Sequence, residues 1–394
     1  MTPRRRSLAR STPARSAPLW LHVLGMVGVA VVLVLVLLWL LTSDRTSPLS
    51  PSPDDRSVLE AIRLAFYAVA GIGGVVALTV AYRRQRLHEA ADEREDTKLY
   101  NERFAAAAEQ LASEQAANRL AGVYAMAALA DDWDAGRQTC VDVLCAYVRM
   151  PYEPPPHRAE RDAAEPGRFQ SVIEERLVRH TVTDVIGEHL RAEPVEGRTW
   201  HWCDFNFNGA TLDDGDFRNA RFLGFASFAY ARFPRSMVNF TGAVFAGPFN
   251  FRRATIDGGD VVFDSAEFHR NSTFAEMTVS DGGLFFRSAK FLGPTWFDGT
   301  KFIGGRVEFK IVPNDPAGET DAFGPSIGFA DACFSGAEVS FDGTALGSEY
   351  LDFTKVEDWS RPPRLDVSVY GDGRVLLPES DAREQEREPS HTED

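Results

Sequence analysis

Residues 217–251 read FRNARFLGFASFAYARFPRSMVNFTGAVFAGPFNF. Large apolar residues fall at Phe217, Phe222, Phe228 and Phe233, then at Phe240, Phe245, Phe251 and Ile256, so steps of 5, 6, 5 and 7 repeat. The same beat continues through Phe263, Phe268, Phe274 and Val279, then Phe286, Phe291, Phe297 and Phe302, and reaches Phe309. Phe217, Phe240, Phe263, Phe286 and Phe309 are therefore each 23 residues apart. Self-similarity at such a period marks a solenoid, in which one turn cannot bury its apolar face without its neighbours. Four large residues per period imply a coil with four short sides, each sending one large side chain inward. On an extended chain the residue two positions earlier points the same way. Those positions hold Ala220, Ala226, Ala231, Ala243, Ala254, Ala266 and Ala289, with Val238, Val261, Leu284 and Val307 on the first side. Each side is thus expected to contribute one large and one smaller inward residue, and stacked coils to continue a hydrogen-bond ladder with a spacing of about 4.8 Å.

Gly and polar residues fill the corners, as in FTGAVF, FDSAEF and FDGTKF. The runs CDFNFNGATLDDGDFRNARF and VVFDSAEFHRNSTF resemble pentapeptide-repeat proteins, whose motif is approximately A-(D/N)-(L/F)-x-x; NGATL, RNARF and DSAEF carry it well. The resemblance covers roughly residues 203 to 354 and implies a right-handed quadrilateral β-helix. The steps of 6 and 7 depart from the motif and predict enlarged corners. A fold of this kind does not by itself imply an activity.

The metre breaks once. From Phe309 the next first-side residue is Phe341, 32 positions on, which leaves nine extra residues within Ile311 to Ser326. That insertion carries Asp315, Glu319 and Asp321, and insertions in solenoids become loops on one face, often the binding face. These three residues form a candidate interaction loop beside the reading of a neutral surface excursion. Phe217, Phe240, Phe263, Phe286 and Phe309, with Phe222, Phe245, Phe268 and Phe291, form the expected core ladder.

Toward the N-terminus, residues 1–18 carry five arginines and no acid, and an apolar run follows over 19–41 with Trp20 and Trp39 near its ends. After a Ser/Pro/Asp-rich loop at 42–59, a second run over 60–82 ends at Arg83, Arg84 and Arg86. Length, interfacial aromatics and flanking arginines predict two transmembrane helices. The positive-inside rule then places both termini in the cytoplasm of a multi-pass inner-membrane protein, with the lipid bilayer as a partner. Small-xxx-small pairs, Ala70 with Gly74 and Gly73 with Ala77, serve packing within the chain or a homodimer.

Residues 83–195 predict a helical connector: one helix from Arg86 to about Arg119, then Leu120–Ala130, Gln138–Val148 and Phe169–Leu190, with a Pro-rich break after Met150. The block ERFAAAAEQLASEQAANRLAGVYAMAALA is similar to the helical segment before the repeats in membrane-anchored actinobacterial pentapeptide-repeat proteins. From the residues alone its expected role is to cap the open edge of the first coil. The β-helix is expected over 200–356, with a C-terminal cap and disordered acidic tail over 357–394. The fold class is thus α plus β-solenoid, with 23-residue coils behind two spans.

Four cysteines without a CxxC pair read as reduced, packed thiols. The net charge of −15 argues against direct nucleic-acid binding and leaves room for a basic protein partner. His201 with Cys203 lacks a second pair at metal-ligand spacing, and Asp213, Asp214 and Asp216 lack the spacing of a calcium loop. The glycines at Asp281–Gly283 and Phe302–Gly305 read as turns. No Walker, GxSxG or HExxH motif occurs. The expectation is a non-enzyme without cofactor or metal: a membrane-anchored scaffold or protein-interaction module with an unknown protein partner. The alternatives are a DNA mimic, which the resemblance allows for a target such as gyrase, and a membrane-coupled sensor. Residues 200–360 hold 22 acidic against 13 basic residues, interspersed rather than striped.

Overall fold

The computed structural model describes residues 55–155, 166–193, 199–313, 326–347, 349–370 and 373–379, and six positions between Gly25 and Trp39. The chain divides into two compact units, Met1–Lys98 and Leu99–Asp394. The helices are α1 (Asp55–Leu111), α2 (Ala116–Asp132), α3 (Arg137–Arg149) and α4 (Pro166–Arg191).

Among the described residues, no helix is long and apolar enough to cross a membrane. This corrects the two-span reading, and with it the bilayer as partner and the multi-pass inner-membrane location. Most of the run at 19–41 lies outside the described residues. The second run is a section of α1, which continues through charged sequence on both sides. From Leu64 to Tyr82 its apolar content is diluted by five Ala, three Gly, two Tyr and a Thr, whose transfer into hydrocarbon gains little.

The helix expected to run to Arg119 stops at Leu111. Ser113 diverts the backbone: its hydroxyl accepts from the Gln115 N–H at 3.2 Å and from Asn118 Nδ2 at 3.1 Å, while Arg119 donates to the Ser113 and Glu114 carbonyls. Serine competes with the helix for backbone groups in this way. The chain reverses there, and α2, α3 and α4 pack around Val123, Met126, Val141, Leu144, Val182 and Ile186, all fully buried.

Beyond Thr199 the chain winds into a β-solenoid of about seven turns, its strands pairing in parallel. Four ladders recur per turn. In the first, Gly215 pairs with Val238, Val238 with Val261, Val261 with Leu284, Leu284 with Val307 and Val307 with Val339. The last step spans 32 residues instead of 23, so the insertion leaves the register above and below it intact. In the second ladder, Phe222, Phe245, Phe268 and Phe291 lie in register. The third joins eight short strands from Phe205–Asn206 to Arg374–Leu376. The fourth carries Phe233, Ile256, Val279, Phe302 and Phe334.

The first-side rings stack face to face. Centroids are 5.1 Å apart for Phe217–Phe240, 4.9 Å for Phe240–Phe263, 5.2 Å for Phe263–Phe286, 5.1 Å for Phe286–Phe309 and 4.5 Å for Phe309–Phe341, with ring planes within 8° of parallel. The third ladder is less regular. Its two-before position holds Phe249 rather than a small residue, and the rings of Phe228, Phe251 and Phe274 tilt by 42–45° to admit it. The coils that absorb this bulk carry Ile256 and Val279 on the fourth side in place of Phe, which roughly conserves core volume.

The helices close one end of the stack. Arg191 donates from Nε to the Arg218 carbonyl at 2.9 Å and from Nη2 to the Asp216 carbonyl at 3.0 Å, acceptors on the open edge of the first coils. Gly187 lets α4 approach, since a Cβ there would lie 2.2 Å from the Asp216 carbonyl oxygen. Gln138 and Asp204 exchange two hydrogen bonds, at 2.8 and 2.9 Å.

Phe263 touches rings on both neighbouring coils and across the core. Phe263→Ala is expected to lower unfolding free energy by about 3–5 kcal/mol through transfer and cavity terms. Denaturant melts of the two proteins measure this, and coincident curves would refute the stacking account.

Candidate functional site

Four turns of the third side are each fastened by their own outward residue. Asn206 Oδ1 accepts from the Asn208 N–H, Asn250 Oδ1 from Arg252, Thr273 Oγ1 from Ala275 and Asp352 Oδ1 from Thr354, all between 2.9 and 3.3 Å. Asn239 and Asp216 do the same on the first side. This gives the polar residue of the repeat motif a physical role: just before each large inward residue, it caps the turn that follows.

Three coils lack a cap of their own, those of Ser227, Trp296 and Gly328; the turn after Ser227 is capped from the preceding coil, Asn208 Oδ1 accepting the Ala229 N–H at 3.1 Å. Down the third side the outward residues run Asn206, Ser227, Asn250, Thr273, Trp296, Gly328 and Asp352, in parallel register. Neither Trp296 nor Gly328 carries a side-chain acceptor. Asp298 compensates in part, its Oδ1 accepting the Ala330 N–H at 3.2 Å. Where a solenoid gives up a local rule without a gain in packing, a functional constraint is the first explanation to test.

Around these positions lies an open groove of about 730 Å³. Its floor is Asn250, Thr273 and half-buried Trp296. One wall is the corner formed by Glu276, Gly299 and Asp331, with φ of 56°, 65° and 55°. Left-handed geometry is uncommon for residues with a Cβ. The corner nonetheless carries Tyr230, Arg253 and Glu276 on successive coils, with Arg253 over the Tyr230 ring at 5.6 Å and bonded to Glu276. Above Trp296 the absence of a side chain at Gly328 leaves a notch: a Cβ there would sit 3.3 Å from Asp298 Oδ1 and 3.8 Å from Trp296 Cδ1.

The electrostatics differ along the groove. At its lower end, hydrogen bonds from Arg252 and then Arg253 hold the Glu276 carboxyl below its usual range. At the upper end, burial pushes the Asp298 carboxyl up, the Ala330 N–H pulls it partly back, and the charges of Asp331 and Asp352 push it up again.

The other chemically suggestive residues are structural. His201 is buried, pairs through Nδ1 with the Thr199 hydroxyl, and burial lowers its pKa. Burial raises the thiols of Cys140, Cys145 and Cys203 to about 11, about 12 and about 11, too high for a nucleophile near neutral pH. Asp213 is buried and satisfied by Tyr152 Oη at 3.1 Å, Arg176 Nε at 2.9 Å and His180 Nε2 at 3.3 Å. Asp214 and Asp216 pair with the cations around them. Among the described residues, no group of three or more His, Cys, Asp or Glu could hold a metal ion. Gly282 and Gly305, of the two glycine motifs, stack at one corner.

Of the residues singled out in the sequence, the nine Phe of the core ladder are buried and none reaches the groove. Asp315, Glu319 and Asp321 lie outside the described residues. Trp296, Gly328, Asp298 and Asp331 emerge from the structure alone. Their sequence signal is a Trp, and then a Gly, at repeat positions that elsewhere hold Asn, Asp, Ser or Thr.

Residues 207–255 match the family model described as pentapeptide repeats (9 copies). The chain carries a pentapeptide-repeat β-solenoid. Pentapeptide-repeat solenoids are in general non-enzymatic and typically serve protein interaction. The match rests on the repeats and does not extend to a membrane-anchored actinobacterial type. No curated protein and no solved structure matched the chain.

Two measurements follow for this repeat solenoid. Trp296→Asn restores the turn cap, and one new hydrogen bond of about 1 kcal/mol should offset much of the lost contact, leaving stability within about 1 kcal/mol of wild type. A loss of the size seen on truncating a core Phe would make Trp296 a packing residue instead. Burial alone would raise the Asp213 carboxyl, but the hydrogen bond and charge of His180, then Arg176 and Tyr152, hold it below its usual range. Its contribution is therefore full above about pH 4, the unfolded value, and is lost as pH falls through the lower folded value. Asp213→Ala is expected to cost about 1.5–3 kcal/mol at neutral pH and to flatten the acid limb of the pH–stability curve. An identical acid limb in both proteins would remove Asp213 from the account.

Proposed function

We propose that this chain is a non-catalytic protein-interaction module whose docking surface is the third side of the solenoid around Trp296 and Gly328. The carrying observation is the replacement of the polar outward residue by Trp296 and Gly328 on adjacent coils, which places an aromatic ring and an open notch where the other capped coils of this side carry Asn, Thr or Asp. The inward ladders supply rigidity, so the groove is preformed and binding orders few side chains. The insertion bearing Asp315, Glu319 and Asp321 rejoins the solenoid at Ser326, two residues before Gly328, and is proposed as a second contributor to recognition.

The DNA-mimic alternative has less support. A mimic needs an unbroken negative stripe, whereas Arg232–Asp257, Arg252–Glu276, Arg287–Asp264 and Lys290–Glu267 neutralise one another between coils. The scaffold reading is kept without its membrane anchor, and the membrane-coupled sensor falls with the spans.

A photo-crosslinking residue placed at Thr273 in the full chain, compared with one at Arg221 on the second side, tests this. The expected result is a crosslinked protein at position 273 that is absent at 221 and is lost when Trp296→Asn is added. Equal crosslinking from both sides, or persistence in Trp296→Asn, would refute the assignment.

A further inference from the structure

The solenoid neutralises its charges from coil to coil, yet Asp298, Asp331 and Asp352 enter no ion pair among the described residues. Elsewhere an Arg or Lys one coil away meets several such carboxylates: Arg287 reaches Asp264 at 2.6 Å, Lys290 reaches Glu267 at 2.8 Å and Arg364 reaches Glu338 at 3.0 Å. Here Asp298 Oδ1 borders the Gly328 notch, Asp331 lines the adjoining groove, and burial first, then the charges of Asp331 and Asp352, push the Asp298 carboxyl up. Mutual repulsion of this kind costs stability unless a cation relieves it.

We propose that the notch above Trp296 receives a Lys or Arg side chain from an extended basic segment of a partner protein. The inference rests on the docking surface assigned above and names its occupant. Three features on this side favour that occupant. The Trp296 ring lies beside the opening left by Gly328, and a guanidinium or ammonium over an indole is attracted to its face. Asp298 borders that opening and Asp331 lines the groove beside it, so charge-assisted hydrogen bonds can form at the head of the side chain while its methylenes lie on the ring. The groove runs over the coils of Asn250, Thr273, Trp296 and Asp331, about 14 Å at the inter-strand spacing, which accommodates about four residues of extended peptide. Its lower end is already neutralised by Arg252 and Arg253 on Glu276, so the unmet negative charge is confined to the upper end. An acidic segment would meet Asp298 and Asp331 there. An inorganic cation would lack the ligand set, since no metal-holding group occurs among the described residues. The overall charge of −15 also favours encounter with a basic partner.

The test is selection of peptides from a random phage-displayed library on the immobilised full chain, followed by fluorescence polarisation of the enriched peptides. Each is measured against wild type, Gly328→Val, Trp296→Asn and the double variant Asp298→Asn/Asp331→Asn. Thermal melts confirm that each variant is folded. Val suits a strand position and fills the notch, and Asn at 296 restores a repeat residue, so at least one blocking variant tests the site in a folded protein. The expected result is a Lys or Arg at one shared position of the enriched peptides, an affinity loss of about tenfold or more in the Asp double variant, and loss of binding in Gly328→Val. Enriched peptides without a basic residue that still lose binding in Gly328→Val would overturn the cationic occupant and leave the groove reading standing. Peptides that bind wild type, Gly328→Val and Trp296→Asn alike would overturn both. Failure to enrich any Lys- or Arg-bearing peptide would also overturn the proposal.

Discussion

A coil of about 23 residues with one large side chain per side encloses too little volume to be stable alone. Its inward phenylalanines are buried only because the coil above and the coil below present rings at the same place. Everything else in the solenoid follows from keeping that vertical match. Parallel strands are held to two or three residues on most sides, corners turn through left-handed residues, and the register of Val307 with Val339 is kept across the longer step between Ile311 and Ser326. Where a second large residue intrudes, at Phe249, neighbouring rings tilt rather than leave the core.

Because the interior is fixed so tightly, the outer positions are free to vary, but not wholly. On the first and third sides a polar residue before the inward ring commonly caps a turn, and many charged side chains pair with those one coil away. These two habits make the outer surface self-satisfied over most of its area. On the third side at Trp296 and Gly328 the polar outward residue is replaced and, among the described residues, the adjacent Asp298 and Asp331 enter no ion pair. Two independent lapses at one place are harder to attribute to drift than either alone. They also bracket the insertion between Ile311 and Ser326.

The sequence reveals the repeat because phenylalanine spacing is a direct imprint of coil geometry, and the register of Phe217 through Phe309 can be read without coordinates. It shows less of what depends on compensation. The shortened first coil, where Phe205 pairs with Ala226 at a spacing of 21, escapes a search for 23. The break after Leu111 is hidden because Ser113, Glu114 and Gln115 are tolerable in a helix, and the decision is made by Ser113's hydrogen bonds. Apolar length at 60–82 suggests a span, yet alanine and glycine supply much of that length. The groove was legible only in the sense that Trp296 and Gly328 depart from the motif. Which departures face solvent together is a property of stacking, not of one repeat.

The helical plug has a consequence for assembly. Arg191 and Gly187 of α4 occupy the carbonyl edge where another strand would otherwise join, whereas the last strand of the third side, Arg374–Leu376, pairs on one flank with Tyr350–Asp352 and has no further neighbour among the described residues. The stack is therefore directional. One terminus refuses addition, and any lengthening by a second molecule's strand has only the opposite terminus to use, which disfavours open-ended polymers of identical units.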